Sequence, residues 1–192
     1  MIAGARTSTA PASELLLGRA AGGDAAAFDA LIRPRLDKLF RMAMAITRSE
    51  ADARDAVQEA CVAAWRQLPR LREQDRFDSW LAQILVNACR AHLRRQRRAE
   101  VREIAVDGSD DAPAAGGFGT GGHGEQIAEV EAIRRAFERL DPDVRALLVL
   151  HYQEEQPLAE IARTLGAPVG TIKWRLSNAR KALDRALKVE RR

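Results

Sequence analysis

Lys173, Trp174, Arg175, Asn178 and Arg180, with Thr171 just ahead of them, stand together in GTIKWRLSNARKAL. Such side chains suit nucleic acid. A guanidinium can bond guanine at two points, whereas contacts to phosphate position a protein without reading sequence. At ~100° per residue, Ile172, Leu176, Ala179 and Leu183 share one side of a helix. Gly170, Trp174, Ser177 and Lys181 point the opposite way, and Lys173, Arg175, Asn178 and Arg180 lie on the flanks. Arg175 is the residue expected on a base edge. Arg185, Lys188, Arg191 and Arg192 follow further along, where phosphates are the expected targets.

The element before this one must hold it in place. Leu158, Ile161, Ala162 and Leu165 have the spacing of a short helix with one buried stripe, and Gly166, Ala167 and Pro168 break it. Two short helices across a tight turn, the second apolar inside and cationic outside, form a helix-turn-helix pattern, whose second helix enters the DNA major groove. The plainer reading is a bundle hairpin with a solvated basic face. Charge separates the two readings. From Gly166 onward there are eight Lys or Arg against Asp184 and Glu190, while residues 126–165 carry five basic and eight acidic side chains. Positive charge is concentrated on the reading helix and its tail, as phosphate binding requires.

A second cationic constellation lies in RFDSWLAQILVNACRAHLRRQRR. Phe77, Trp80, Leu81, Ile84 and Ala88 make its core stripe; Arg90, Arg94, Arg95, Arg97 and Arg98 crowd its end. Five arginines within nine residues exceed what helix capping needs and suit a nucleic-acid backbone. Trp80 is expected in the core, in line with Ile84. A loop rich in Pro and Arg, Pro69–Asp75, precedes this helix. Before the loop, ADARDAVQEACVAAWRQL is expected to bury Val57, Cys61, Ala64 and Leu68 and to expose Asp55, Gln58, Glu59, Val62 and Arg66.

The remaining chain organises around these segments. Residues 1–12 read as disordered, and a short helix from Ser13 ends at Gly22-Gly23. Asp24 caps a helix with the stripe Phe28, Leu31, Ile32, Leu36, Leu39, Ala43 and Ile46, which Pro34 interrupts. Ser49-Glu50-Ala51-Asp52 is a capping-box variant. Seven of the thirteen glycines fall between Gly108 and Gly124, so 99–125 reads as a flexible linker. Net charge is +6 before it, −5 within it and +3 after it. Ile127, Val130, Phe137 and Leu140 mark a further helix, and Asp141-Pro142 restarts the chain. The fold class is all-α: two small helical domains, 13–98 and 126–192, joined by the linker.

Composition excludes much else. No run approaches the ~18 apolar residues of a membrane span, and MIAGARTSTAPAS lacks the apolar core of a secretory signal, so a cytoplasmic protein is expected. Cys61 and Cys89 stand alone without metal-ligand spacing, and His92, His123 and His151 are scattered. No catalytic constellation, metal site or cofactor loop is present in the sequence, and an enzyme is not expected.

The order of segments resembles the extracytoplasmic-function sigma factors, two-domain members of the bacterial primary-sigma family. DARDAVQEACVAAWR is similar to the family's DxxQExxxxxW helix, and RFDSWLAQILVNACRAHLRRQRR to its FxxWLxxIxxNxxxDxxRR segment. LDPDVRALLVLHYQEEQPLAEIARTLGAPVGTIKWRLSNARKAL resembles its C-terminal domain. The resemblance implies that Asp55, Gln58 and Glu59 bind the clamp coiled coil of RNA polymerase β′. It implies capture of the melted −10 strand by the Pro69–Asp75 loop and the helix after it, through Arg72, Arg76, Asn87, Arg90, Arg94 and Arg95. The C-terminal domain would read the −35 duplex through Thr171, Lys173, Trp174, Arg175, Asn178 and Arg180 and sit on the β flap. The linker would follow the polymerase's RNA path, and an anti-sigma factor is a further expected partner. Two departures stand out: Ala91 replaces the family's usual Asp, and Trp174 a common Ser. The competing reading is a free-standing helix-turn-helix regulator of operator DNA. Such a regulator needs neither the acidic Asp55–Glu59 face nor the Arg90–Arg98 cluster.

Overall fold

A computed structural model describes residues 10–73, 76–104 and 133–190, and among the described residues all regular structure is helical. Helices α1 (Ala10–Ala21), α2 (Ala25–Ile32), α3 (Leu36–Thr47), α4 (Glu50–Gln67) and α5 (Phe77–Ile104) form an N-terminal bundle. Residues 133–138 are helical and lead into α6 (Pro142–Tyr152), α7 (Leu158–Leu165) and α8 (Val169–Glu190), the C-terminal bundle.

Local chemistry sets the helix starts. The Asp24 carboxylate accepts the amides of Ala26 and Ala27, each at 3.0 Å, and the Ser49 hydroxyl accepts that of Asp52 at 3.3 Å. The Asp141 carboxylate takes the Asp143 amide at 2.8 Å, with Pro142 in the first turn. Pro34 does more than kink its helix. It sits in a 3-10 turn, Arg33–Arg35, that separates α2 from α3. The turn shifts the helical phase, so Leu36, expected in the core stripe, is left 40% exposed.

Three boundaries or stripes differ from the sequence reading. Helix α1 begins at Ala10, inside the stretch read as disordered; residues 1–9 lie outside the described residues. Helix α5 continues to Ile104, past the expected start of the linker. The rest of that linker, with Ile127 and Val130, lies outside the described residues. In α4 the core face is Ala53, Ala56, Ala60 and Ala64, all fully buried, whereas Val57 and Cys61 are half-buried beside it. Small side chains let α3 and α5 approach α4 closely, and the larger residues are displaced to the edges of this seam. Cys89 does lie in the core, where burial pushes its thiol up to about 12.

The two bundles pack on one another, α6 against α3 and α5, and α7 against α5. Arg145, on α6, is 5% exposed. Its Nε and Nη2 donate to the Ile46 carbonyl at the end of α3, at 2.9 and 2.6 Å, and its Nη1 donates to the Leu140 carbonyl at 2.7 Å. Desolvation, with the nearby Arg48 cation, lowers this guanidinium to about 10, so it stays charged at neutral pH.

Candidate nucleic-acid interface

The helix-turn-helix is built by a glycine. Gly166 adopts φ 64°, a left-handed conformation that costs glycine little. It lets its own amide bond Arg163 and the Ala167 amide bond Ala162, at 3.3 and 3.0 Å, closing α7 with a Schellman turn. Helix α8 restarts at Val169 and lays Ile172, Leu176 and Ala179 into the core; Leu183 is half-buried at the end of the stripe.

The outward face is the expected one. Gly170, Trp174, Ser177 and Lys181 are all exposed, Trp174 by 66%. Lys173 is exposed on one flank, and Thr171 and Asn178 are half-buried. Arg175 and Arg180 are already engaged. Arg175 lies 3.8 Å from Asp143 with 29% of its side chain exposed, and Arg180 donates to the Tyr152 hydroxyl at 2.6 Å while lying over that ring.

In the N-terminal bundle the candidate residues separate into two places. Arg72, Arg76 and Asn87 line one cleft of about 460 Å³, together with Arg70 and Trp80. Trp80, expected in the core, is half-buried: its ring packs on Phe77 at 5.7 Å and it also lines the cleft wall. Arg95 lies elsewhere, donating to Glu59 at 2.6 Å in a groove of about 510 Å³ lined by Asp55, Gln58, Val62 and His92. Behind that groove, Asp52 receives Gln96 Nε2 at 2.8 Å and sits 3.0 Å from His92 Nε2, tying α4 to α5. Asp55, Gln58 and Glu59 are all exposed on one face, as expected, and Arg94 is exposed on α5. Arg90 points away from both clefts towards α6, with its Nε 2.7 Å from Asp143.

The sequence reading missed the carboxylates that meet these cations. Asp143 contacts Arg90 and Arg175, and Glu160, only 11% exposed at its side chain, pairs with Arg76. The excess of acidic side chains in residues 126–165 was their only trace in the sequence.

Residues 31–99 match the Sigma-70 region 2 family, and residues 130–183 the Sigma-70, region 4 family. The chain is 37% identical over 178 residues to the ECF RNA polymerase sigma factor SigM of Mycobacterium tuberculosis, covering 91% of this chain and 84% of that protein. It is 30% identical over 182 residues to the ECF RNA polymerase sigma-E factor of Escherichia coli, covering 89% and 92%. Among solved structures, the sigma factor RpoE, in a complex with the anti-sigma factor NepR from Bartonella quintana, has a TM-score of 0.64 at 26% identity, covering 84% of this chain and 97% of that one. CnrH, solved with the cytosolic domain of CnrY, has a TM-score of 0.58 at 26% identity, covering 93% and 98%. With both regions matched in order and this likeness along nearly the whole chain, the protein belongs to the extracytoplasmic-function RNA polymerase sigma factors.

Proposed function

We propose that this sigma factor divides promoter recognition between its two bundles and acts by binding, while core RNA polymerase performs the nucleotide chemistry. The C-terminal bundle reads the −35 element as duplex, with Lys173, Trp174, Arg175 and Asn178 towards base edges and the later cations of α8 towards phosphates. The supporting observation is the two-sidedness of α8: Ile172, Leu176 and Ala179 are buried, while Lys173, Trp174 and Lys181 are exposed.

The N-terminal bundle takes the melted −10 strand in the cleft of Arg72, Arg76, Trp80 and Asn87, where cations track a backbone and an aromatic ring offers a stacking face. Asp55, Gln58 and Glu59 dock on the β′ clamp coiled coil, and the C-terminal bundle on the β flap. An anti-sigma factor is a further partner, by likeness to the sigma factor RpoE, solved in complex with the anti-sigma factor NepR. No described helix is long and apolar enough to cross a membrane, which accords with work beside polymerase in the cytoplasm.

The test is a titration of reconstituted holoenzyme on a −35 duplex selected from a random library and on a scrambled one, at several salt concentrations. Arg175→Ala is expected to cost about 1–3 kcal/mol on the selected duplex and much less on the scrambled one. Lys188→Ala is expected to weaken both alike and to flatten the salt dependence. Equal losses on both duplexes would reduce Arg175 to a phosphate contact, and a library that yields no preferred sequence would defeat the −35 reading.

A further inference from the structure

Arg180 is held in place on α8 without being neutralised. Its Nε donates to the Tyr152 hydroxyl at 2.6 Å, and its Nη2 lies 3.5 Å from His151 Nε2. Its Cζ stands 5.6 Å from the centre of the Tyr152 ring, and the His151 ring meets that phenol edge-on at 4.8 Å. Both partners come from the last turn of α6, and neither is a carboxylate. Two other cations of α8 are arranged differently. Arg175 lies beside Asp143 and Lys188 beside Asp184, so each has a carboxylate to offset its charge. Among the described residues Arg180 has none.

An exposed cation–π contact stabilises a fold only slightly. It does, however, order a long side chain that solvent would leave mobile. An ordered and uncompensated guanidinium suits an anion, because little side-chain freedom remains to be lost on binding. The hydrogen bond also decides which groups are left for that anion. With Nε engaged, the terminal N–H groups of Arg180 remain. The phenol accepts from Nε, so its own hydrogen is left for an acceptor, and Tyr152 is 55% exposed. A phosphodiester carries a pair of anionic oxygens and can take both donors at once. Arg180 stands on the same flank of α8 as Lys173, about two turns further on. That flank borders the outward ridge of Trp174 and Ser177, where a groove's backbone would run.

We infer that Tyr152 and Arg180 form one composite site for a backbone phosphate of the −35 duplex, the phenol holding the guanidinium in place and donating its own hydrogen to the same anion. The inference rests on seating α8 in that duplex. Tyr152 lies outside the helix-turn-helix, so α6 contributes directly to DNA binding as well as to the core beneath it. The contact is to backbone, and it fixes the register of α8 without reading a base.

The experiment titrates reconstituted holoenzyme on the selected −35 duplex and on a set of duplexes derived from it. In each of these a single phosphodiester is replaced by an uncharged methylphosphonate. Y152F keeps the ring and removes only the oxygen, and R180Q removes the charge; circular dichroism checks that both stay helical. Each variant is expected to bind the unmodified duplex about tenfold more weakly than the parent chain. In the parent, neutralising one linkage, or two adjacent ones, is expected to cost about as much. In both variants that linkage should cost little further, while other sensitive linkages keep their penalties. R180Q should also flatten the salt dependence, and Y152F should leave it unchanged because it removes no charge. Binding by Y152F equal to the parent's would overturn the inference. So would a loss that leaves the penalty at every linkage intact, since a purely structural role singles out no phosphate. Loss of sequence preference in R175A, with Y152F indistinguishable from the parent, would remove this site and leave the −35 reading standing. A holoenzyme that prefers no duplex would remove both.

Discussion

Asp24 illustrates how much a single side chain can settle. One carboxylate oxygen accepts the Ala26 and Ala27 amides, and the other receives the Arg19 guanidinium at 2.6 Å. The Ala27 amide, followed by Arg19, holds this carboxyl below its usual 3.8. The unfolded chain therefore takes up the proton more readily than the folded one. Whatever Asp24 adds to stability is complete above the unfolded value and is lost as pH falls through the folded one. Asp24→Ala is expected to lower the melting temperature at neutral pH and to make little difference in strong acid, as thermal melts across the acid range would measure. Caps such as Asp24, Ser49 and Asp141 were legible in the sequence because donor and acceptor lie within three residues. Asp143 was not legible as the partner of Arg90, because 53 residues separate them and only the fold brings them together.

At the scale of the element, α4 presents two working faces. Its buried face is the alanine seam, of which hydrophobic ranking found Ala64 but put Val57 and Cys61 in the place of Ala53, Ala56 and Ala60. Ranking by hydrophobicity finds large apolar groups, whereas a close helix crossing selects small ones, and the closeness is a property of the neighbours. Ala60→Leu should force the helices apart and cost about 1–3 kcal/mol, read by urea unfolding. The opposite face, Asp55, Gln58 and Glu59, was read correctly as exposed because helical phase alone decides it. Reversing its charge with D55K/E59K should leave helicity intact and abolish assembly with core polymerase in a pull-down. Normal assembly would remove the β′ coiled coil as the partner of this face.

For the whole molecule, the all-α class and the helix-turn-helix were readable from periodicity, and the split into two bundles from composition. The end of the first bundle was less so. Helix α5 continues to Ile104 because VREI keeps a helical composition after the arginine cluster has signalled an end. The glycine-rich stretch beyond it lies outside the described residues, and its composition is one in which a change of length costs little entropy. Deleting residues 114–119 should leave both bundles folded, by circular dichroism and melting, and cost at most modest transcription from a selected promoter. Loss of either bundle's cooperative melting would move the domain boundary. How the bundles meet was beyond the sequence, since reciprocal capping by Arg90, on the Leu165 carbonyl, and Arg145, on that of Ile46, depends on two surfaces that no local pattern relates.

The placement of the tryptophans has an optical consequence. Trp65 lies edge-on to Phe28 at 5.1 Å, Trp80 is tilted against Phe77 at the cleft of Arg72 and Arg76, and Trp174 stands 66% exposed on α8. Their emission therefore divides by solvent contact, with Trp174 the most red-shifted and the most open to a dissolved quencher. Seating α8 in a groove of DNA should shield that indole, while a strand seated in the cleft should shield the indole of Trp80. The two events would thus leave different marks on the same fluorescence spectrum, with no added label.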